Sequence, residues 1–174
     1  NYFEALYNLG IMLSSIDRES EANSFLLKAV NSNPNSFLAF HKLANSYKKL
    51  DQAKEAITCY KRSLHLNPKY VPSLNNLGII YSHLSRNHEA SQCFKRILSI
   101  KPDWSTAHRH LSLVLNYSPQ DTHLSNLESA LKKKLEPLDE IQLRYAHFKA
   151  MSDLGNTGAA FESLQIANNL RKKH

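Results

Sequence analysis

The hydrophobic pattern along the chain repeats every 34 residues. Leu9, Leu43, Leu77 and Leu111 form one series, and a small residue follows each of them: Gly10, Ala44, Gly78 and Ser112. Ala22, Ala56 and Ala90 form a second series, and Pro34, Pro68 and Pro102 a third. Self-similarity at such a period marks stacked supersecondary units, each of which buries its apolar face only against its neighbours. Phe3, Phe37, Val71 and Ser105 are taken as first positions. The pattern then predicts helix A over roughly the first 14 residues of each unit and helix B over roughly residues 16 to 30. Large apolar groups fill position 4 (Leu6, Phe40, Leu74), position 11 (Leu13, Tyr47, Tyr81) and position 24 (Leu26, Tyr60, Phe94). Small residues at positions 8 and 20 let the paired helices approach closely. Proline at position 32 ends helix B, because it lacks an N–H and disfavours helical geometry in the residue before it.

Beyond Tyr117 the register breaks. Ser118-Pro119 places a capping residue before a proline, which predicts a helix from Pro119 to Lys133 with Leu124, Leu127, Ala130 and Leu131 inward. It is read as helix B of a divergent fourth unit. A connector at Leu135-Glu136-Pro137 leads to a further helix A over Ile141 to Leu154, closed by Leu154-Gly155-Asn156. Ala160, Leu164 and Ala167 then fall at positions 20, 24 and 27 of a fifth unit, in which Phe148 replaces the small residue at position 8 and changes the helix crossing. The expected organisation is one array of units 3–36, 37–70, 71–104, 105–137 and 141–174, the last two divergent. With no initiator Met and a start inside a predicted helix, the sequence is read as a piece of a longer chain.

These residues at these spacings resemble the tetratricopeptide repeat (TPR) family, whose 34-residue helix–turn–helix carries Leu-Gly, Tyr, Ala, Phe, Ala and Pro in the same order. The resemblance covers residues 3 to 117 and implies an all-α TPR α-solenoid, a superhelical stack of antiparallel helix pairs. The divergent half carries a second, narrower resemblance. Ser118-Pro119-x-Asp121-x-His123-Leu124, Lys149-Ala150, Asp153-Leu154-Gly155, Ala160-Phe161 and Asn168-x-Leu170 are similar to the TPR region of certain bacterial fusion proteins. In those a sulfotransferase domain that binds 3′-phosphoadenosine-5′-phosphosulfate follows.

The TPR resemblance implies that helix A lines a concave groove through positions 2, 5, 6, 9, 12 and 13. The candidate peptide-binding residues are Tyr7, Asn8 and Ile11 in the first unit, and His41, Lys42, Asn45 and Lys48 in the second. Asn75, Asn76 and Ile79 follow in the third, and Arg109, His110 and Leu113 in the fourth. Asparagine amides can hydrogen-bond an extended peptide backbone, and the bases can meet carboxylates. Asparagine at position 6 resembles the ladder in the TPRs of O-linked N-acetylglucosamine transferase. Asn45 and Asn76 match two positions of the carboxylate clamp of chaperone-binding TPRs, but His41, Thr106 and His110 stand where the clamp has lysine, lysine and arginine.

Charge adds a modest bias. Lys plus Arg number 22 against 15 Asp plus Glu, a net charge of +7 over 174 residues. Six of those bases sit in Lys132-Lys133-Lys134 and Arg171-Lys172-Lys173, at predicted helix ends where cations meet the negative end of the dipole. No aromatics interleave with them for base stacking, so nucleic acid is not the partner indicated. An extended, acidic protein segment is, with self-association through the terminal repeats as a further expectation.

Chemistry of other kinds finds no support in the pattern. Gly10, Gly78, Gly155 and Gly158 are scattered at packing and turn positions, unlike the clustered glycines of a phosphate loop. His108 and His110 point to different sides of a helix, so the nine histidines are read as solvated or packing groups and no metal is expected. Cys59 and Cys93 occupy one repeat position in neighbouring units, too far apart for a disulfide, and suit a reducing compartment. No stretch approaches the ~20 apolar residues of a membrane span. The reading is a cytoplasmic, non-enzymatic protein- or peptide-binding scaffold without cofactors. The alternative is a substrate-presenting segment of a sulfotransferase whose catalytic domain lies beyond residue 174.

Overall fold

A computed structural model describes residues 2–173, which form ten α-helices and, among the described residues, no strand. They fall into two compact units, Asn1–Ile80 and Tyr81–His174. The first holds α1 (Tyr2–Ser15), α2 (Glu19–Ser32), α3 (Phe37–Lys49), α4 (Ala53–Leu66) and most of α5 (Val71–His83). The second holds the last turn of α5 with α6 (Asn87–Ile100), α7 (Ser105–Val114), α8 (Thr122–Leu131), α9 (Pro137–Asp153) and α10 (Thr157–Lys173).

In the first unit α1 packs on α2, α2 on α3 and α3 on α4. The periodic small residues sit where these helices meet. Ala22, Ala44 and Ala56 are fully buried, as is Ala90 in the second unit. At Gly10 even one methyl group has no room, because a Cβ would lie 2.7 Å from Leu26 Cγ. Leu26 and Val30 of α2 close over Ala39 and Leu43 of α3, flanked by Phe3, Tyr7, Phe40 and Tyr47. Each such aliphatic side chain contributes about 1.5–3 kcal/mol by leaving water.

A common device turns helix A into helix B. Asp17, Asp51, Ser85 and Gly155 all have φ between 56° and 73° and occupy position 15 of their units. The next residue's N–H reaches back to the carbonyl five residues earlier: Arg18 to Leu13, Gln52 to Tyr47, Arg86 to Tyr81 and Asn156 to Met151, at 2.8 to 3.0 Å. This is the left-handed helix terminus, in which one residue at positive φ redirects the chain and a six-residue loop closes behind it.

The fourth unit cannot use it. Its position 15 is Pro119, whose ring holds φ near −65° and which has no N–H to donate. Helix α7 accordingly stops at Val114. The expected helix from Pro119 to Lys133 is corrected to Thr122–Leu131. Residues 118–121 form a turn instead, with Asp121 N–H on the Ser118 carbonyl at 3.1 Å and Ser118 N–H on Asp121 Oδ2 at 2.7 Å. Leu127 and Ala130 are buried as expected, while Leu124 and Leu131 are half-buried. Pro137, read as a connector, is instead the first helical residue of α9, which therefore starts before Ile141.

In the second unit α6 packs on α7, and α7, α8 and α10 all pack on α9. Phe148, at the position held elsewhere by a small residue, lies against Tyr117, Ala150, Met151 and Ala160. Helix α9 also pins the non-helical stretch after α7. Lys149 Nζ donates to the Leu115 carbonyl at 3.3 Å and pairs with Asp153, and Asp153 accepts the Tyr117 N–H at 3.1 Å.

Candidate functional site

The first unit gathers ten of the candidate residues on α1, α3 and α5. Four helix A residues, His41, Asn45, Ser73 and Asn76, and two from α4, Tyr60 and Ser63, form its polar centre. Asn45 Oδ1 accepts from Tyr60 Oη at 2.5 Å and from Asn76 Nδ2 at 2.9 Å. Asn76 Nδ2 also donates to Tyr60 Oη at 3.1 Å. The Asn45 amide donates to His41 Nε2 at 3.1 Å, so His41 carries its proton on Nδ1, which donates to Ser73 Oγ at 2.9 Å. Ser73 in turn meets Ser63 Oγ at 2.9 Å. One set of donors and acceptors satisfies every bond, and it requires a neutral imidazole and a protonated phenol.

The electrostatics agree. Burial, with Lys42 and Lys48 nearby, lowers His41 to about 4. Burial likewise pushes Tyr60 up to about 12. His41 is 6% exposed and rests against the Tyr60 and Tyr70 rings, 5.7 and 5.1 Å between centroids. The expectation that His41 meets carboxylates is therefore corrected: it is an uncharged strut that orients Asn45. With both Asn76 N–H groups and both Asn45 acceptor directions occupied, Asn76 Oδ1 and one Asn45 N–H remain for a ligand. Around this centre Asn8 and Lys48 are exposed, while Tyr7, Ile11, Lys42, Asn75 and Ile79 are half-buried. Asn75 Oδ1 is buried with no hydrogen-bond partner among the described residues.

The other three candidates lie on α7 in the second unit. Arg109 is half-buried, its guanidinium 5.2 Å from the Tyr145 ring centre. His110 packs on Phe94 at 5.2 Å, and burial, then Arg109, lowers its pKa, so it too is a neutral packing ring. Leu113 is exposed.

A second polar chain lies inside this unit. His108 Nε2 donates to the Pro102 carbonyl at 2.8 Å, which leaves His108 Nδ1 to accept from His123 Nε2 at 3.0 Å. His123 Nδ1 then accepts from Tyr117 Oη at 2.6 Å. All three side chains are buried. Burial, then His108, lowers His123 to about 3, and burial raises Tyr117. A cavity of about 320 Å³ opens beside His108, with Leu98, Asn126 and Lys133 in its wall. Among the described residues no cluster of three His, Cys, Asp or Glu is placed to hold a metal, and no helix is long and apolar enough to cross a membrane. Cys93 is buried and Cys59 half-buried, both as thiols.

Sequence reasoning treated Tyr60 as core and passed over Ser63, Ser73 and the His108–His123 contact. One signal was present: the repeat 37–70 carries Asn45 and Tyr60 where the repeat 3–36 carries Ile11 and Leu26, and a buried phenol needs an acceptor.

Residues 37–70, which span α3 and α4 and end before α5, match the tetratricopeptide repeat profile, and a second tetratricopeptide repeat profile matches residues 59–92. The chain carries tetratricopeptide repeats. The two matches start at different points of the period, one with helix A and one inside helix B, as a periodic chain allows. No curated protein matches the chain. Solved structures do. MamA 41-end from Desulfovibrio magneticus RS-1 is 14% identical with a TM-score of 0.79, over 100% of this chain and 97% of that one. YrrB, described as a TPR protein with an unusual peptide-binding site, is 19% identical with a TM-score of 0.77, over 97% and 86%. The first TPR of Spaghetti (RPAP3), solved with the HSP90 peptide SRMEEVD, is 19% identical with a TM-score of 0.62, over 65% and 90%. At these identities the likeness establishes the all-α TPR fold.

Proposed function

We propose that this chain is a non-enzymatic scaffold that binds an extended, acidic segment of a partner protein along the helix A face of its first unit. The observation that carries the reading is the Asn45–Asn76 pair, locked by Tyr60 and His41 so that one amide N–H and one amide oxygen are held ready for a peptide backbone. Such preorganisation lowers the entropy lost on binding. Lys42 and Lys48 supply positive charge beside it, and Tyr7, Ile11 and Ile79 supply half-buried apolar contact. Arg109 and Leu113 offer the corresponding helix A groups in the second unit. Two TPR structures of the same fold, YrrB and the Spaghetti domain, carry peptide-binding descriptions, which supports a peptide ligand here.

Fluorescence anisotropy with a labelled SRMEEVD peptide as an acidic probe, against a Lys-substituted copy, tests the reading. Binding of the acidic form should weaken with added salt and fall about tenfold in a Lys42→Glu, Lys48→Glu variant whose melting temperature is unchanged. Equal binding of both peptides, or indifference to the double charge reversal, refutes the acidic-segment reading.

The alternative is presentation of a substrate to a sulfotransferase domain beyond residue 174, and it rests on the second resemblance. The residues that carry it are spent on the local fold: Ser118 and Asp121 bond each other, Lys149 pairs with Asp153, and His123 bonds Tyr117. Sulfate transfer from 3′-phosphoadenosine-5′-phosphosulfate by a longer chain would establish it, and that chain's failure to bind the donor would dismiss it.

A further inference from the structure

The cavity beside His108 shares no residue with the proposed peptide face. Three segments of the second unit make its wall: the end of α6 with Pro102 and Asp103 just after it, His108 of α7, and α8 with Lys133 just beyond. At about 320 Å³ it has room for a small molecule, since ligand sites run from about 300 to 1,000 Å³. It borders a shortened helix B: α8 has ten residues where α2, α4 and α6 have fourteen.

Leu98, Pro102 and Ala130 give the wall its apolar part, and its polar part carries both signs of charge. Lys133 Nζ pairs with Asp103 Oδ1 at 2.5 Å, and both side chains reach solvent. The Asn126 side chain has no hydrogen bond among the described residues. Ser129 Oγ donates to the Ser125 carbonyl at 2.8 Å, which leaves its lone pairs to accept. His108 is already committed at both ring nitrogens, to the Pro102 carbonyl and to His123, so a neutral ring backs the cavity. A simple anion would meet Asp103 and the ends of α6 and α8, whose terminal carbonyls carry partial negative charge. A simple cation would meet Lys133, flanked in sequence by Lys132 and Lys134. A small molecule that carries both charges avoids both penalties.

The geometry points to a binding site for a free α-amino acid in its zwitterionic form. Ammonium and carboxylate are neighbours in such a molecule, as the charges of Lys133 and Asp103 are here, so it lies antiparallel to that pair without separating it. Its carboxylate accepts from Lys133 Nζ and the Asn126 amide, and its ammonium donates to the Asp103 carboxylate and to Ser129 Oγ. Each of the four charges then faces two of opposite sign. The ligand's side chain is left to Leu98, Pro102 and Ala130, and Lys101, Lys132 and Lys134 disfavour a basic one. Bound in this way, the amino acid bridges α8 to the end of α6 and stabilises the second unit.

Titration of the nitrogen-15-labelled 174-residue chain with leucine into the millimolar range, read from its amide shifts, tests this. The shifts should saturate and concentrate around Leu98, Asp103, His108, Asn126 and Lys133, and the melting temperature should rise with leucine concentration. Isocaproate, which is leucine without its ammonium, and isoamylamine, which is leucine without its carboxylate, should each bind on the order of tenfold more weakly. Lysine should bind more weakly than leucine. Lys133→Asp and Asp103→Lys, both at exposed sites, should keep the wild-type helical signal and each lower the affinity by on the order of tenfold. Together they should restore it, because a zwitterion can turn round. Asn126→Ala should weaken binding and leave the melting temperature of the free chain unchanged. Shifts that do not saturate, or that map away from the cavity, overturn the proposal. So does equal binding of leucine and either single-charge analogue, or indifference to the single charge reversals.

Discussion

Lowering the pH from 7 to 5 should remove about 2 kcal/mol of folding stability for each of two buried histidines that the fold holds neutral, His123 and His41. His123 is the strongest case. Its ring accepts from Tyr117 and donates to His108, and burial, reinforced by His108 and Lys95, takes it from an ordinary 6.5 to about 3. Protonation would place a second N–H on His123 Nδ1, facing the Tyr117 hydroxyl that now donates to it. The unfolded chain meets no such obstacle and binds its proton below about pH 6.5. Between these values unfolding takes up a proton, so stability is complete above about pH 6.5 and falls as pH drops toward the folded pKa. The slope approaches about 1.4 kcal/mol per pH unit for each such ring. His41, lowered to about 4 in the first unit, acts in the same direction. Urea denaturation followed by circular dichroism at pH 7, 6.5, 6, 5.5 and 5 measures the slope, a window in which ordinary carboxylates remain ionised. His123→Leu should be less stable at pH 7, because His108 Nδ1 and Tyr117 Oη lose their partner, at about 1–3 kcal/mol for each group left unsatisfied. Its loss on going to pH 5 should nevertheless be smaller than the wild type's by about 2 kcal/mol. Parallel pH profiles for the two proteins would refute the neutral-histidine account, whatever their absolute stabilities.

Gly10→Ala should destabilise by about 1–2 kcal/mol in thermal melts, since the clash with immobile Leu26 outweighs the gain in helix propensity. Gly158→Ala is the control: its Cβ would meet nothing nearer than Asn156 Oδ1 at 3.9 Å, so the melting temperature should hold or rise. Asp153→Asn should cost about 1 kcal/mol in urea unfolding, by weakening both the Lys149 pair and the bond from the Tyr117 N–H. Asn45→Asp takes away the donor to His41 Nε2 and sets a carboxylate beside it, so His41 should bind a proton more readily; the variant's stability deficit should narrow between pH 7 and pH 5, and a deficit that stays constant would contradict the assigned tautomer.

The regular part of the fold was legible because a few positions carry it. Residues at positions 8 and 20 must be small for two helices to touch, and position 24 must be large to fill the space beside them, so Gly10, Ala22 and Leu26 announce a contact that the structure then contains. The break at Pro119 was visible too, but its meaning was misjudged. Proline next to serine reads as a helix start, whereas the decisive fact is its coincidence with position 15, where the other turns need positive φ. The polar chains were hidden for a different reason. His108, Tyr117 and His123 are 15 and 6 residues apart along the bonded chain, and no helical or strand period links such spacings. Whether a histidine at position 5 of helix A is a cation for a ligand or a buried strut depends on what stands opposite it, and for His41 that was Tyr70 at the far end of its own repeat and Ser73 in the next.

The two buried chains have one more consequence. Each carries imidazole N–H protons that are sequestered from solvent and given to a fixed acceptor: Nδ1–H of His41 in the first unit, Nε2–H of His108 and His123 in the second. Exchange of such a proton with water requires that its own unit open. Nitrogen-15-labelled histidine spectra therefore contain a separate clock for each half of the molecule. Equal exchange rates at His41 and His123 would mean that both halves open in one cooperative event, and unequal rates would identify the half that opens first.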